Sequence, residues 1–320
     1  MSRALWYVAP GQAELRDTVE SPRGQGQVRL RMVASAISRG TERLVFEGRI
    51  AACDHERMRA PMQAGAFPFP VKYGYSAVAR VEEGPPDLIG RCAFVLHPHQ
   101  DVFDAPVAAL TLVPPTVPPA RAVLGAQMET ALNALWDSGA GPGDRIVIVG
   151  GGAVGLLIGA LAAGMPGVEA TLIDVDPARG AVARTLGLAF TTTGAGVSDA
   201  DVVFHCSASA AGLATALACA GFEAAVIEVS WYGDRVVAAP LGLDFNARRL
   251  RIVSSQVGAV AASRRARWSH ARRLAKALDC LADDRLGALI TERIAFADLP
   301  AALPRILAVD APGIVTLIDY

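Results

Sequence analysis

The sequence predicts an α/β protein in which a doubly wound parallel sheet is joined to a smaller β-rich domain. Three observations lead to this prediction. A β-branched run, Arg145 to Val149, passes through glycines into an apolar pattern with helical spacing. Helix and strand patterns then alternate as far as Ser254, which is typical of a parallel sheet covered by helices. Before Pro114 the chain consists mainly of short strand patterns punctuated by Gly and Pro, as in a small β domain.

The glycines after the β-branched run have the spacing Gly150-x-Gly152-x-x-Gly155. The first glycine permits a tight turn, the second lets a pyrophosphate approach the backbone, and the third lets the helix pack closely on the strand. The helix then directs its free N–H groups and positive dipole end at the phosphates. We therefore predict a dinucleotide-binding turn in which Gly150, Gly152, Val154 and Gly155 contact the cofactor.

An acidic residue in the right place supports this interpretation. Asp174 ends the next strand pattern, and it follows Gly155 by 174 − 155 = 19 residues, against the roughly 20 expected for the carboxylate that binds the adenosine ribose. Asp174 and Asp176 would repel a ribose phosphate, so NAD is favoured over NADP. Arg179 weakens that preference, because an arginine just beyond the strand could receive the extra phosphate.

Length and composition restrict the remaining possibilities. A chain of 320 residues usually forms two domains, and a net charge of −1 gives no electrostatic case for nucleic acid or an anionic membrane. A small-molecule substrate is the better expectation. Since polar residues interrupt every apolar run and no signal core is present, we expect a cytoplasmic protein. The five cysteines are scattered, which indicates reduced thiols.

Two features define the predicted domains. The run from Pro114 to Pro119 marks a crossing, because tandem prolines exclude helix, and an apolar helix pattern follows from Ala120 to Ser138. The final strand pattern, Gly313 to Asp319, is expected to return to the N-terminal domain. We therefore predict one domain of residues 1–122, completed by 258–320, and a second of residues 123–257. Within the returning part, Ser263 to Leu281 has the pattern of a basic amphipathic helix with a solvated face.

The order of these features resembles the medium-chain dehydrogenase/reductase superfamily, the alcohol dehydrogenase type. The resemblance implies that residues 123–257 form a Rossmann domain for NAD and that the other domain is a GroES-like catalytic domain. In that family the cofactor lies in the cleft between the two. Relatives commonly form homodimers through an edge of the nucleotide-domain sheet, for which Leu250 to Ser254 is the candidate here.

The zinc ligands of that family are replaced in this sequence. Arg39 or Ser38 stands where the first ligand cysteine would precede Gly40-Thr41-Glu42. The family's Gly-His-Glu phrase corresponds to Gly74-Tyr75-Ser76, and alignment of Thr130 with the threonine facing the nicotinamide puts Ala126 in place of the third ligand. Because a catalytic Zn²⁺ ordinarily has three protein ligands, we predict a zinc-free member. The short stretches of sequence around these positions most closely resemble those of the branch that contains bacteriochlorophyllide dehydrogenase.

Without zinc, side chains must stabilise the oxyanion and move the proton. Tyr75 replaces a ligand histidine, so its phenol could donate to a substrate carbonyl, or its ring could simply fill the vacated metal pocket. His97 and His99 flank Pro98 where the family's loop approaches the site, and they are either a proton relay or ordinary loop residues. Glu42 could orient Arg39 through an ion pair, which could also be purely structural.

The remaining cofactor contacts are implied by the resemblance. Ser207 corresponds to a contact with the adenosine ribose, and Thr130 to the threonine facing the nicotinamide. Ser230 and Trp231 correspond to the turn whose backbone meets the nicotinamide amide, and Trp231 could favour a cyclic or aromatic substrate or could be an ordinary packing residue.

Three functions are compatible with these residues. The leading one is a zinc-independent, NAD(H)-dependent oxidoreductase acting on an alcohol/ketone pair. The second is the quinone or enoyl reductase chemistry of other zinc-free relatives, in which hydride goes to a conjugated carbon. The third is a non-catalytic nucleotide-binding protein that keeps the fold without the chemistry.

Overall fold

The computed structural model describes residues 2–18, 22–242 and 244–320. The contacts between Cα atoms divide the chain into two compact units. The first unit comprises Met1–Ala126, Leu278–Ala282 and Ile290–Tyr320. The second unit comprises Gln127–Ala277 and Asp283–Leu289. The prediction from the sequence assigned residues 258–277 to the β-rich domain, whereas the contacts join them to the second unit.

The described residues form seventeen strands, which are, in chain order, β1 (Ser2–Ala9), β2 (Gln12–Thr18), β3 (Gln27–Ala36), β4 (Ala64–Gly65), β5 (Val71–Lys72), β6 (Ala77–Glu83), β7 (Cys92–Val95), β8 (Val102–Pro106), β9 (Thr111–Leu112), β10 (Arg145–Val149), β11 (Glu169–Ile173), β12 (Ala189–Thr191), β13 (Ala200–His205), β14 (Ala220–Glu228), β15 (Arg251–Ser254), β16 (Ile290–Ala295) and β17 (Val315–Asp319).

The same part of the chain forms nine α-helices, which are α1 (Arg39–Phe46), α2 (Pro119–Ala122), α3 (Gly125–Ser138), α4 (Ala153–Ala163), α5 (Arg179–Thr185), α6 (Ala210–Cys219), α7 (Asp244–Ala247), α8 (His270–Cys280) and α9 (Leu299–Ile306). No helix of the described residues is both long and apolar enough to cross a bilayer.

The second unit is built on a six-stranded sheet with the order β12-β11-β10-β13-β14-β15. All five neighbouring pairs are parallel, so the predicted parallel sheet is confirmed. After β10 the chain adds β11 on one side of it, and it later returns to add β13 on the other side. The position between β10 and β13 is therefore the topological switch point. Helix α4 packs on β10 and β11, while α6 packs on β10, β13 and β14. Ligands of open parallel sheets bind at such a point, beyond the carboxyl ends of the strands.

The first unit consists of two mainly antiparallel sheets. One has the order β2-β1-β5-β4, and the other the order β16-β17-β3-β6-β7-β9 with β8 paired to β3. Strand β17 pairs with β3, so that Leu317 lies opposite Ala36. The prediction that the final strand returns to the N-terminal part is therefore confirmed. The core of this unit contains Val28 and Leu30 on β3 and Val95 on β7, the strands on either side of β6.

Two predicted helices differ from the observed ones. The pattern from Ala120 to Ser138 is interrupted after Ala122, and the chain turns at Val123 and Leu124 before α3 begins. Both turn residues are fully buried. An uninterrupted apolar pattern therefore conceals the break, because turn and helix side chains are equally apolar here.

The basic segment is the second difference. Helix α8 begins at His270, and the residues from Ser263 to Arg267 form turns. Its arginines do not all lie on a solvated face, because Arg273 is only 1% exposed. The Arg273 guanidinium donates to Glu129 on α3 at 3.0 Å and to the carbonyl oxygen of Ala259 at 3.1 Å. A buried ion pair thus holds α8 and α3 together, which explains why residues 258–277 join the second unit.

Candidate cofactor and catalytic sites

The glycine turn lies directly after β10, at the switch point of the parallel sheet. Gly150 has a φ of 111°, a conformation that favours glycine. A Cβ on Gly155 would lie 2.0 Å from the carbonyl oxygen of Gly150, so any larger residue would force helix α4 away from the strand. Gly152 has open space where its Cβ would be. The turn therefore has the close packing and the accessible backbone that a pyrophosphate site needs, and Val154 follows in the first turn of α4.

Asp174 lies beside this turn, as the spacing predicts. One carboxylate oxygen accepts from the backbone N–H of Gly151 at 2.5 Å, and the other accepts from that of Asp176 at 2.8 Å. Since a carboxylate offers about four lone-pair directions, two acceptor positions remain for ribose hydroxyls. The carboxylate is thus fixed at the end of β11 with acceptor capacity to spare.

Arg179 also lies at the turn. Its Nε is 3.4 Å from a carboxylate oxygen of Asp176, and its Cγ would be 3.2 Å from a Cβ built on Gly151. The guanidinium is therefore within the same small region as Asp174. A carboxylate that favours NAD and an arginine that favours NADP therefore lie close together. The structure thus keeps the uncertainty between NAD and NADP that the sequence left.

A polar cluster surrounds Ser207 at the ends of β13 and β14. His205 Nδ1 is 2.8 Å from Glu228 Oε2, and His205 Nε2 is 2.8 Å from Ser207 Oγ. The hydroxyl of Tyr232 also donates to Glu228, at 3.0 Å. Burial opposes ionisation of Glu228, but the hydrogen bonds from His205 and Ser230 outweigh it and lower the pKa of this carboxyl. The cluster therefore contains an ionised glutamate at neutral pH.

The other cofactor residues implied by the resemblance all lie in the second unit. Ser230 Oγ accepts from the N–H of Ala208 at 3.0 Å, which ties the loop after β14 to the loop after β13. Trp231 follows it and is half-buried, and Thr130 is a half-buried residue of α3. Ser230 is thus brought close to Ser207, and the contacts assigned to Thr130 and Trp231 stay predictions.

The first unit contains a separate buried network centred on Glu42. Glu42 and His99 are both 0% exposed, and Glu42 Oε2 lies 3.1 Å from His99 Nε2. The same oxygen accepts from the Tyr7 hydroxyl at 2.6 Å, while Oε1 accepts from the N–H of Ser38 at 2.7 Å. Burial and the Glu42 carboxylate raise the pKa of Tyr7 well above its usual value, so Tyr7 remains a donor.

The network continues from His99 to the last residue of the chain. His99 Nδ1 is 2.8 Å from Ser35 Oγ, which is 2.9 Å from the hydroxyl of Tyr320. The Tyr320 ring stacks on Phe296 with 4.5 Å between ring centroids. Both ring nitrogens of His99 therefore have partners inside the protein. This is the arrangement of a satisfied, buried histidine, and its predicted part in a proton relay stays a prediction.

Tyr75 precedes β6 in the chain, and its side chain reaches Ser38, the residue before α1. Its hydroxyl donates to Ser38 Oγ at 2.5 Å, and its ring meets that of Tyr73 edge to face at 5.9 Å. Burial raises the pKa of Tyr75 to about 12. The phenol is therefore protonated at neutral pH and can serve as a hydrogen-bond donor, whereas its ring is packed as the alternative interpretation expects.

His97 occupies a different environment from His99. Its ring stacks on Phe103 with 3.7 Å between centroids, and Nδ1 donates to the carbonyl oxygen of Pro98 at 2.8 Å. Burial and then the Lys72 ammonium lower the pKa of His97 to about 3. The ring is uncharged at neutral pH, so the titration near pH 7 that motivated its relay role is not supported by these surroundings.

The expected ion pair between Arg39 and Glu42 is not formed. The Arg39 guanidinium instead donates to backbone carbonyls of the chain before β17, those of Ala311, Pro312 and Gly313. Because Glu42 is directed into the core, its partners are the buried donors described above. The hypothesis that Glu42 orients Arg39 was wrong, since the two side chains leave α1 in different directions.

The residues at the family's zinc positions offer a poor donor set for zinc. Arg39 carries a cation, Ala126 a methyl group, and Tyr75 a protonated phenol already bonded to Ser38. His99 and Glu42 are committed to each other and to neighbouring groups. Within the described ranges, no three His, Cys, Asp or Glu side chains are grouped so that they could hold a metal ion. These residues therefore do not fit a catalytic Zn²⁺.

Several site residues were missed by inspection of the sequence. His205 and Glu228 are register partners at the ends of adjacent parallel strands, and polar residues at neighbouring strand ends are a signal that could have found them. Tyr7, Ser35 and Tyr320 carry no such signal, because they lie far apart along the sequence, on β1, on β3 and directly after β17.

Comparison with known proteins concerns the fold. No protein-family model matches the chain, and no curated protein matches it significantly. Solved structures do match over its whole length. Galactitol-1-phosphate dehydrogenase from Escherichia coli has a TM-score of 0.79 and 14% identity, with 99% of this chain and 100% of that chain covered. A protein provisionally described as a zinc-binding dehydrogenase from Sinorhizobium meliloti 1021, bound to NADP, has a TM-score of 0.80 and 17% identity over 100% and 99% of the two chains.

A third structure was determined with the other nicotinamide cofactor. It is described as a short chain alcohol dehydrogenase from Escherichia coli CFT073 complexed with NADH, and it has a TM-score of 0.76 and 13% identity over 100% of this chain and 99% of that chain. At such identities the likeness concerns the fold alone. The chain therefore has the fold of these dehydrogenases, in which a Rossmann-type parallel sheet accompanies a GroES-like β-rich unit.

Proposed function

We propose that the protein is an NAD(H)-dependent oxidoreductase that interconverts an alcohol and a ketone without catalytic zinc. The observation that carries this proposal is the turn at the switch point of the parallel sheet. There the backbones of Gly150 and Gly155 lie so close together that a side chain on Gly155 would clash with the carbonyl oxygen of Gly150. The Asp174 carboxylate accepts a hydrogen bond from the N–H of Gly151. This combination matches the needs of an adenosine ribose joined to a pyrophosphate.

The bound cofactor would supply or accept the hydride, and the chain's own residues would hold it. The backbone of the turn, including Gly152 and Val154, would bind the pyrophosphate, and the two unused acceptor positions of Asp174 would bind the ribose hydroxyls. A 2′-phosphate at the same place would meet the charge of Asp174. This favours NAD, and Arg179 is the residue that could reverse the preference.

Tyr75 is the residue we assign to polarisation of the substrate. Its pKa of about 12 keeps the phenol protonated, so it can donate to a developing oxyanion and thereby lower the energy of the transition state. Ser38 Oγ accepts the Tyr75 hydrogen bond at 2.5 Å, and a substrate oxygen would replace Ser38 as the acceptor of that bond. The same donor would serve reduction of a conjugated ketone, in which hydride goes to the β-carbon.

Substrate class and assembly belong to the same proposal. Trp231 favours a cyclic or aromatic small molecule, in agreement with the phrases shared with the bacteriochlorophyllide dehydrogenase branch. A homodimer through β15 is supported by its place at the sheet edge and by Ile252, which is 39% exposed. Cytoplasmic location stays a prediction.

The proposal is tested by metal analysis of the purified protein together with NADH and NADPH titrations. Removal of the ribose acceptor in Asp174→Ala should weaken NADH binding about tenfold, because a hydrogen bond to a charged group contributes about 1.5 kcal/mol or more. Glu169→Gln is the matched control, since Glu169 begins the strand that Asp174 follows. Its affinity should equal that of the wild type. Unchanged affinity in Asp174→Ala would show that the ribose contact is misassigned.

A substrate panel followed by NADH absorbance separates the alternatives. Oxidation of secondary alcohols supports the proposal, whereas consumption of enones without alcohol oxidation would indicate a quinone or enoyl reductase. Cofactor binding with no turnover of any alcohol or carbonyl would indicate a non-catalytic nucleotide-binding protein. A stoichiometric zinc ion required for activity would contradict the zinc-free part of the proposal.

A further inference from the structure

In the cluster around Ser207, the chemistry of the side chains determines which atom donates and which accepts in each hydrogen bond. Glu228 Oε1 accepts from the N–H of Ser230 at 2.9 Å, and Oε2 accepts from Tyr232 and lies 2.8 Å from His205 Nδ1. An ionised carboxylate can only accept, so Nδ1 must carry the proton. In a neutral imidazole the other nitrogen is then an acceptor.

This fixes the orientation of the serine hydroxyl. His205 Nε2, 2.8 Å from Ser207 Oγ, accepts the serine proton. Ser209 Oγ, 3.0 Å from Ser207 Oγ, itself accepts from the N–H of Gly212 at 3.0 Å, so its own proton is free to point at Ser207. With its proton directed inward, Ser207 keeps an oxygen lone pair directed outward.

The cluster lies at the dinucleotide turn. A Cβ built on Gly150 would be 2.7 Å from the backbone nitrogen of Ser207, so the loop after β13 touches the turn after β10. His205 is 0% exposed, whereas Ser207 is half-buried. The chain of hydrogen bonds therefore runs from a closed interior to a group that a cofactor at the turn could reach.

We propose that His205 and Glu228 are positioning residues for the cofactor, which hold Ser207 as a hydrogen-bond acceptor for a hydroxyl group of the cofactor ribose. This inference rests on the function proposed above. It assigns a role to the buried pair rather than to the serine alone, and it specifies that the ligand group must be a donor. If the pair had only a structural role, cofactor affinity would not depend on whether the atom at residue 205 that faces Ser207 is a hydrogen-bond acceptor.

Two isosteres of histidine separate these roles. Gln can place its amide oxygen where Nε2 lies and accept the Ser207 proton, whereas Asn reaches only the position of Nδ1 and retains the bond to Glu228. Both are uncharged and polar, so neither introduces a new charge into the buried cluster. We expect His205→Gln to bind NADH within about threefold of the wild type, and His205→Asn to bind about tenfold more weakly, like Ser207→Ala. A tenfold loss corresponds to about 1.4 kcal/mol, which is within the range that one hydrogen bond contributes.

Titration by energy transfer from tryptophan to NADH provides the readout, with the melting temperature of each variant measured in parallel. Thr215→Ala on α6 is the control, because its hydroxyl bonds only to the carbonyl oxygen of Ala211 within the helix. Equal NADH affinities in His205→Gln and His205→Asn would overturn the inference, as would wild-type affinity in Ser207→Ala. If either histidine variant fails to fold, Glu228→Met substitutes for it, because its side chain removes the acceptor of the His205 Nδ1 proton, and an affinity equal to that of the wild type overturns the inference.

Failure of the underlying function gives a different result. A wild-type protein that binds neither NADH nor NADPH would refute the dinucleotide site and this inference together. A wild type that binds NADH, with no difference among the His205 variants, would refute only the positioning role.

Discussion

The residues that the structure describes include two hydrogen-bonded His–Glu pairs, one in each unit, and the pairs differ in where their hydrogen bonds lead. His99 and Glu42 are both 0% exposed, and every polar atom of the pair has a partner inside the first unit. His205 is equally buried, but the side chain of Glu228 is 15% exposed, and the other ring nitrogen meets a half-buried serine beside the glycine turn.

The difference teaches how similar pairs can serve different purposes. A pair whose partners are all internal keeps its polar groups satisfied and specifies one packing of the core. A pair that ends on an accessible hydroxyl transmits its orientation to whatever binds there. The pairs should therefore respond differently to substitution, the first mainly in stability and the second mainly in cofactor affinity.

The largest expected effect is on stability. His99→Leu leaves the buried Glu42 carboxyl group and the Ser35 hydroxyl each without one hydrogen-bond partner. A buried polar group that loses its partner costs about 1–3 kcal/mol, so the two losses together should cost about 2–6 kcal/mol. His205→Leu should cost less, about 1–2 kcal/mol, since Glu228 keeps some contact with water. Urea unfolding measures both. The double variant Glu42→Leu/His99→Leu should be less stable still than His99→Leu, because it also leaves the Tyr7 hydroxyl and the Ser38 N–H without their acceptor. Equal losses at the two histidines would break the comparison.

Tyr75→Phe should lower kcat about 100-fold, because loss of an oxyanion donor typically costs a factor of this size. Its stability should change little, as the ring remains. Tyr7→Phe is the matched control, since it removes a phenol that donates only to Glu42 at 2.6 Å. The control should lose stability and keep kcat. Full activity in Tyr75→Phe would mean that the Tyr75 hydroxyl has no part in the chemistry.

A third histidine sharpens the contrast through pH. The pKa of His97 is lowered to about 3 by burial, against about 6.5 in the unfolded chain. Between these values the unfolded state binds more protons, so stability rises with pH and is lost as the pH falls below 6.5. Between pH 7.5 and pH 5 the loss should be about 2 kcal/mol. In His97→Phe, which can keep the stack on Phe103, the dependence on pH should be shallower by that amount in urea unfolding, and an identical slope would contradict the assignment.

The smallest expected effect is that of Tyr320→Phe. It removes the last hydroxyl of the first network, which lies 2.9 Å from Ser35, and keeps the stacked ring. Since Ser35 retains its bond to His99, the loss should be about 1 kcal/mol. Thermal unfolding measures it, with Phe296→Leu as a control that disturbs the stack instead. A loss as large as that in His99→Leu would show that the network fails as a unit.

The success of sequence analysis follows the distance along the chain between interacting residues. The glycine turn, its strand and helix, and Asp174 lie within 30 residues of one another, and spacing alone placed them. The first network joins Tyr7 to Glu42 across 35 positions, His99 to Glu42 across 57, and Ser35 to Tyr320 across 285. No periodic pattern encodes such pairings. Arg273 was misjudged for the same reason, since its partner Glu129 is 144 positions away.

The pairing of Leu317 with Ala36 has a consequence for biosynthesis. Most of the second unit is a continuous stretch, so its parallel sheet can form while the ribosome is still translating the remainder of the message. The large sheet of the first unit is completed later, because residues 34–36 of β3 pair with β17, which is translated after the second unit. Until β17 has been synthesised, residues 34–36 of β3 lack their partner on that edge, whereas residues 27–31 of the same strand can already pair with β8.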